Sequence, residues 1–118
     1  MTAAYTPSLT EADWMGWVVD LAHWHGWKVA HFRPARTQHG WRTAGQYDAK
    51  GWPDLVLVNP ERGGVLFREV KSDTGRLDDD QALWRNWLVS AGADWGIWQP
   101  RDRDTVVAEI TDGKWTVP

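Results

Sequence analysis

Apolar residues in the first part of the chain recur every three or four positions, which is the spacing of an amphipathic helix. This stripe consists of Leu9, Trp14, Trp17, Val18, Leu21 and Trp24. The pattern predicts a first helix over residues 9–25, ended by Gly26. Ser8 and Glu11 stand three residues apart at its start, so they could form a capping box there.

Three shorter apolar runs predict strands, because turn-forming residues bound each of them. These strands cover residues 27–33, 55–58 and 64–71. The loop between the last two is short, so we expect them to pair as an antiparallel hairpin. Residues 34–50 are polar and rich in Gly, Thr, Gln and Arg, and they are predicted to be a loop.

The rest of the chain returns to a helix and then a strand. Residues 79–91 are predicted to be helical and residues 94–100 to be a strand. The tail fits a hairpin with an Asp-Gly turn, and a short helix over 104–110 is the alternative. The order of elements, α-β-β-β-α-β and a tail, predicts an α/β domain with a mixed central sheet flanked by helices.

Length and composition limit the possible functions. The 118 residues are the size of one domain, so we expect a single domain over 1–118. No apolar run approaches the ~20 residues of a membrane helix, and we expect no membrane partner. The absence of cysteine excludes disulfides and Cys-ligated metals, and fits a cytoplasmic protein. Most of the 11 tryptophans are expected in the core, and a few at an interface or a nucleic-acid groove.

Positive charge is concentrated in one segment of an otherwise acidic chain. The net charge is −3, yet residues 23–50 carry five basic residues and a single acid. Such a segment could follow a phosphate backbone, with an indole available for stacking on a base. The alternative is a solvated loop. The candidate nucleic-acid-binding residues are Arg33, Arg36, His39, Trp41 and Arg42.

Three charged residues occupy positions where apolar strands rarely carry charge. Asp54 enters one predicted strand, and Glu69 and Lys71 share a face of the next. Cross-strand neighbours lie only ~5 Å apart, where two carboxylates raise each other's pKa unless a cation lies between them. Carboxylates suit Mg²⁺, and the carbonyl of Val70 is a natural further ligand. Lys71 could then orient or deprotonate a water, or stabilise charge on a phosphate.

A simpler interpretation exists for each of these residues alone. Asp54 could cap a turn after Pro53, and Glu69 with Lys71 could be a solvated strand face with a weak ion pair. The combination of the three residues with the Gly-x-Pro sequence before Asp54 favours a metal-dependent active site over these simpler interpretations.

The sequence GWPDLVLV, followed by FREVK and LDDDQALW, resembles the core motif of the PD-(D/E)XK nuclease superfamily. Within that superfamily the chain is similar to the virus-type replication-repair nuclease domains, the VRR-NUC domains, and most similar to small stand-alone phage and bacterial members. The resemblance covers about residues 11–100. It implies a restriction-endonuclease-like fold with an αβββαβ core.

The resemblance also implies roles for individual residues. Asp54 and Glu69 would ligate the metal, and Lys71 would be the catalytic lysine. Gln81 lies where the family keeps a glutamine beside the site. Glu11 matches an acidic residue that many members add to the metal site, although the capping box explains it equally well.

The implied activity is Mg²⁺- or Mn²⁺-dependent hydrolysis of phosphodiester bonds in branched or duplex DNA. We expect a structure-specific endonuclease, similar to a Holliday-junction resolvase, acting as a homodimer in recombination or repair. Its expected location is the cytoplasm, or the host cytoplasm if the protein is phage-encoded. Two alternatives stay open: a non-catalytic, Trp-rich module that binds nucleic acid or protein, and an enzyme that cleaves RNA or nucleotides.

Overall fold

The computed structural model describes residues 9–32, 34–37, 40–43 and 47–111, with the backbone alone given at 34–37 and 40–43. The elements in these ranges are α1 (Glu11–Trp24), β1 (Lys28–His31), β2 (Pro34–Thr37), β3 (Gly40–Thr43), β4 (Leu55–Val58), β5 (Val65–Val70), α2 (Asp79–Ser90), β6 (Asp94–Trp98), a 3₁₀ turn (Pro100–Asp102) and α3 (Arg103–Thr111). None of these helices has the length and hydrophobicity needed to span a bilayer.

The central sheet is mixed, with the strand order β1-β4-β5-β6. β4 pairs antiparallel with both β1 and β5, whereas β6 pairs parallel with β5. The helix α2 provides the crossover that a parallel connection requires. The predicted mixed α/β architecture, its αβββαβ core and the β4–β5 hairpin are therefore confirmed, and they fit the restriction-endonuclease-like fold.

The hydrophobic core lies on the face of the sheet that α1 and α3 cover. The buried apolar residues of this core are Trp14, Val18, Leu21, Ala22, Trp27, Leu55, Leu57, Leu66, Val70, Trp98, Val106 and Ile110. Two of its indoles also bind main-chain carbonyls: Trp14 Nε1 donates to Trp98 O at 3.0 Å, and Trp27 Nε1 donates to Ile110 O at 2.9 Å. A buried indole N–H needs such a partner, so these bonds fix how both helices sit on the sheet.

An ion-pair network around one buried arginine lies beside this core. Arg68, only 3% exposed, donates from Nη2 to Asp94 Oδ1 at 2.8 Å and to Glu109 Oε2 at 3.0 Å. Trp98 Nε1 donates to the same Glu109 oxygen at 3.0 Å. Gly96 leaves the space for the arginine, since a Cβ there would lie 3.3 Å from Arg68 Nε. The network joins β5, β6 and α3, so the charge of Arg68 has a structural role.

The opposite face of the sheet carries an aromatic cluster. Trp52 makes edge-on contacts with Phe32, Phe67 and Trp84, at centroid distances of 6.5, 5.7 and 4.9 Å. Trp84 in turn contacts Trp87 of α2 at 5.1 Å. The cluster holds α2 against the sheet, although no residue of α2 is fully buried.

The start of α1 differs from the prediction. The N-cap is Thr10, whose Oγ1 accepts a hydrogen bond from the main-chain N–H of Asp13 at 3.0 Å. Glu11 is therefore the first residue of the helix, two positions too early to close a capping box. The predicted capping box of Ser8 and Glu11 is wrong in its Glu11 half, and Ser8 lies outside the described residues.

Two further predictions need correction. Residues 103–111 form helix α3 instead of the first strand of the predicted hairpin, because Val106 and Ile110, four residues apart, bury the same helical face in the core. The shorter alternative over 104–110 is thus confirmed. The predicted Asp-Gly turn and the strand after it lie outside the described residues. The predicted loop 34–50 contains the paired strands β2 and β3. These strands form a separate ribbon outside the central sheet, and their sequences, PART and GWRT, have no apolar alternation to mark them.

Candidate functional site

The strand register brings Asp54 and Glu69 together. Leu55 of β4 lies opposite Arg68 of β5, so Asp54 and Glu69 are the next pair beyond the ladder. The main-chain N–H of Asp54 donates to Glu69 Oε1 at 3.0 Å, and that of Val70 donates to Asp54 Oδ2 at 3.0 Å. Each carboxylate therefore accepts a main-chain N–H of the other strand, which fixes both side chains where the hairpin ends.

The carboxyl group of Glu69 is fully buried, but only one of its two oxygens accepts a hydrogen bond from the described residues. It has no exposed surface, and its Oε2 has no hydrogen-bond partner among the described residues. Burial, and after it the negative charge of Asp54, raise the pKa of Glu69 from 4.5 to about 8. The positive charge of Lys71 partly opposes this rise. Without a cation the carboxyl is thus mainly protonated at neutral pH.

The donor atoms at this point fit a hard divalent cation. Asp54 and the unpartnered Oε2 of Glu69 supply oxygens, and Val70, the last residue of β5, adds a main-chain carbonyl close by in sequence. In the described part of the chain, no three His, Cys, Asp or Glu side chains converge on a metal position. A cation held by two carboxylates would take its other ligands from water, the main chain and phosphate, as Mg²⁺ commonly does.

A cavity of about 570 Å³ lies between α1 and the ends of β1 and β4. Its charged and polar lining consists of Glu11, Asp20, His31 and Asp54, and we name it the acidic cavity. Because Glu11 is the first residue of α1, its position is not explained by a capping box. Asp20 lies nine residues further along the helix, about 13 Å away along the axis, so the two acids face different parts of the cavity.

A second cavity, of about 620 Å³, lies on the side of Lys71. Its charged lining consists of Lys71, Asp73, Arg76, Arg85 and Arg101, and we name it the basic cavity. The main-chain N–H of Lys71 donates to Trp98 O at 3.1 Å, which ties it to the end of β6. Gly75 lies against the aliphatic part of Lys71, since a Cβ there would be 3.1 Å from Lys71 Cβ. The loop after β5 therefore restricts the position of the lysine side chain.

Gln81 occupies the third position of α2 and makes a capping box. Its Oε1 accepts from the main-chain N–H of Asp78 at 3.0 Å, and its own N–H donates to Asp78 Oδ1 at 2.8 Å. The structure thus gives Gln81 a role in starting the helix, while a role in catalysis stays a prediction.

The Gly-Trp-Pro sequence before Asp54 fixes the loop that delivers this carboxylate. Gly51 has a φ of +88°, and a Cβ there would collide with the backbone of Asp80 at the start of α2. Trp84 Nε1 donates to Asp48 O at 2.9 Å in the same loop. The glycine therefore permits a close approach that places α2 beside the site, and the indole of Trp52 fills the space between them.

Three of the five candidate nucleic-acid-binding residues belong to the β2–β3 ribbon. Arg36 is in β2, opposite Trp41 of β3, and Arg42 is the next residue. Arg33 and His39 lie outside the described residues. The contribution of all five to DNA binding stays a prediction.

Sequence reasoning missed the arginines of the basic cavity. Arg76, Arg85 and Arg101 lie in a region of the chain where acids outnumber bases. They come from a loop, a helix and a 3₁₀ turn. The predicted fold held one usable signal. All three arginines follow Lys71 in the chain, within or just after the crossover that brings β6 next to β5.

Comparison with known proteins points to one family. Residues 35–101, more than half of the chain, match the VRR-NUC domain. The Fanconi-associated nuclease 1 homolog of Schizosaccharomyces pombe is 44% identical over 46 residues, which cover 39% of this chain and 6% of that protein. The homolog of Caenorhabditis briggsae is 39% identical over 62 residues, which cover 51% of this chain and 7% of that protein.

The chain thus spans only a small part of the length of these relatives. No solved structure gives a significant match. The matched segment contains Asp54, Glu69, Lys71 and Gln81 in the order that the resemblance requires, on the mixed sheet that it implies. The chain belongs to the VRR-NUC domain family.

Proposed function

We propose that the protein is a Mg²⁺- or Mn²⁺-dependent DNA endonuclease whose active site contains Asp54, Glu69 and Lys71. The observation that carries this proposal is the buried Glu69 carboxyl, which lies beside a second carboxylate and whose Oε2 has no partner in the described part of the chain. A buried carboxylate without a partner is costly, so a purely structural role would favour an apolar or fully hydrogen-bonded residue here. A cation explains why two acids are kept together.

Each residue of the proposed active site has a defined role. Asp54 and Glu69 would hold the cation, with the Val70 carbonyl as a further donor. When bound, the cation supplies Lewis-acid activation of water and neutralises phosphate charge. Lys71, two residues after Glu69, would orient the attacking water or stabilise negative charge on the phosphate oxygens. Glu11 lies across the acidic cavity, where it could bind the hydration shell of the cation.

For the substrate, we propose branched DNA, with cleavage resembling that of a Holliday-junction resolvase in recombination or repair. The sequence contains no module of the kind that reads base edges, which favours recognition of DNA shape. A homodimer would supply two active sites for two strands. Leu83, Trp87 and Val89 of α2 are all at least 45% exposed and offer apolar area for self-association. Membership of the small phage or bacterial type stays part of the same proposal.

A non-catalytic binding module on the same fold is the second candidate. Its support is the exposed apolar surface of α2 and the aromatic cluster beneath it. It leaves the Asp54–Glu69 pair unexplained, however, since holding uncompensated acids together serves no binding purpose without a metal. We therefore favour the enzyme.

The test is cleavage of labelled single-stranded, duplex, flap and four-way-junction DNA, with Mg²⁺, Mn²⁺ or EDTA. We expect metal-dependent cleavage, strongest on a branched substrate, that Asp54→Asn and Lys71→Ala abolish. Glu61→Gln is the matched control, because Glu61 is an exposed acid in the β4–β5 turn. Cleavage that persists in EDTA, or in the Asp54→Asn protein, would overturn the proposal.

A further inference from the structure

The basic cavity contains a concentration of positive charge that the active-site residues do not explain. The chain has a net charge of −3 and 13 Lys and Arg residues, and four of these line this single cavity. Asp73 is the one acid among its lining residues. We propose that the basic cavity binds backbone phosphates of the nucleic-acid strand next to the scissile bond, with Arg76 and Arg85 as the main phosphate ligands.

Other arginines of the described chain have structural partners, whereas Arg76 does not. Arg68 is buried and paired with Asp94 and Glu109, and the guanidinium of Arg103 lies 5.3 Å from the ring of Trp17. Arg76 is exposed and makes no hydrogen bond or ion pair with any described residue. Arg85 is half-buried, and its Nε donates to Asn86 Oδ1 at 3.1 Å, which orients the guanidinium without neutralising it. These charges are thus available for an external anion.

The wall of the cavity is held in place by a buried amide. Gln99, 7% exposed, donates from Nε2 to Ser72 O at 2.9 Å and to Gly75 O at 3.3 Å. Its Oε1 accepts from Arg101 Nη2 at 2.7 Å. The main-chain N–H of Arg101 also donates to Asp73 Oδ1 at 2.9 Å. Gln99 therefore joins the loop after Lys71 to the turn that carries Arg101, so the cavity has a fixed shape and Gln99 is a positioning residue.

The chemistry of the lining selects phosphate. Arginine binds phosphate oxygens in a bidentate manner and keeps its charge at any physiological pH. The volume of about 620 Å³ is more than one phosphate needs and falls within the range of ordinary ligand sites. It accommodates a nucleotide unit with its phosphate. Lys71 lines the same cavity and lies two residues after Glu69, so a strand lying there would pass beside the proposed active-site lysine.

The inference extends the proposed function, because it names how the substrate strand is held, but anion binding can be measured without cleavage. Fluorescence anisotropy with a short labelled single-stranded oligonucleotide in EDTA reports binding alone. We expect Arg76→Gln and Arg85→Gln each to weaken binding roughly tenfold, which corresponds to about 1.4 kcal/mol. The slope of log affinity against log salt should become shallower by about 0.7 for each phosphate that a variant no longer neutralises.

The matched control is Lys28→Gln, which removes one exposed cation from β1 at the opposite edge of the sheet. It should change affinity less than about twofold. Arg85→Lys keeps the charge but not the bidentate geometry, so it should recover only part of the affinity that Arg85→Gln loses. Unchanged binding in the two Arg→Gln variants, or an equal loss in the Lys28→Gln protein, would overturn the inference.

The two proposals fail separately. Asp54→Asn should leave binding in EDTA close to that of the unmodified protein while it removes cleavage. If the unmodified protein cleaves DNA but Arg76→Gln and Arg85→Gln bind normally, the phosphate site is refuted and the nuclease is not. If binding depends on both arginines and no metal supports cleavage, the nuclease is refuted and the phosphate site is not.

Discussion

The acidic cavity and the basic cavity have similar volumes, about 570 and 620 Å³, and opposite charge. Asp54 lines the first and Lys71 lines the second. The two cavities are also formed by different kinds of structure. The acidic cavity is bordered by regular elements, α1 and the strand ends, whereas the basic cavity is formed around a loop that Gln99 fixes by hydrogen bonds. The open end of the β4–β5 hairpin, opposite its turn, thus lies between a region suited to a cation and a region suited to phosphate.

The largest expected effect comes from removing one carboxylate of the Asp54–Glu69 pair, next to the acidic cavity. Glu69→Gln keeps the shape of the side chain but removes one carboxylate ligand, so we expect DNA cleavage to fall by a factor of about a thousand or more. Initial rates with Mn²⁺ measure this effect. Arg76→Gln should leave cleavage at saturating DNA much closer to normal, because it acts on binding. Similar losses in both variants would show that the cavities have no separate roles.

The metal-free protein should also lose stability as the pH rises. The pKa of Glu69 is about 8 in the folded protein and near 4.5 when unfolded, so the folded state binds the extra proton between these values. Stability is therefore greatest below pH 4.5 as far as this group is concerned, and falls towards pH 8, by at most about 5 kcal/mol. Denaturant titrations in EDTA at several pH values measure the slope.

Glu69→Gln should flatten that dependence, and the exposed Glu61→Gln should not. Mn²⁺ added at pH 8 should restore stability to the unmodified protein, because a cation replaces the proton at the carboxylate pair. A slope unchanged by Glu69→Gln would mean that other groups govern the pH dependence.

Gly51 and Gly63 offer a matched test of the loop that delivers Asp54. Both have positive φ, +88° and +79°, but a Cβ would strike the backbone of Asp80 only at Gly51 and meets nothing within 4 Å at Gly63. We expect Gly63→Ala to cost about 1 kcal/mol of unfolding free energy, and Gly51→Ala about 3 kcal/mol or more. Equal costs by denaturant unfolding would show that α2 does not depend on this close approach.

A smaller effect is expected at Gly75, on the basic side. Its Cβ would press on Lys71 at 3.1 Å, so Gly75→Ala should displace the lysine and lower cleavage by roughly tenfold, with a melting temperature close to normal. Gly64→Ala is the control, because the nearest atom there is at an ordinary 3.6 Å. A cleavage rate unchanged in the Gly75→Ala protein would argue against a fixed position for Lys71.

Local sequence patterns predicted the Asp54–Glu69 pair, because its geometry depends on residues that are close together in the sequence. Alternation in 64–71 and the short connection to 55–58 placed Asp54 opposite Glu69, and the register confirms that geometry. Such a hairpin is determined by a few consecutive residues, so it can be inferred from sequence. Gly51 marked the motif, although its physical reason, the close approach to Asp80, became visible only in the structure.

Long-range packing determined what the sequence did not reveal. Arg76 and Arg101 are brought together by the crossover to β6 and by Gln99, and no local pattern records that proximity. Residues 103–111 include β-branched residues that favour a strand, yet burial of Val106 and Ile110 in the core makes this segment a helix. In both cases tertiary packing outweighed local preference.

The most direct test of the central claim is the effect of a divalent metal on the melting temperature. We predict that Mn²⁺ raises the melting temperature of the unmodified protein at pH 8 by several degrees, that Asp54→Asn and Glu69→Gln remove this increase, and that Glu61→Gln keeps it. No increase in the unmodified protein, or an equal increase in the Asp54→Asn protein, would contradict a cation held by this carboxylate pair.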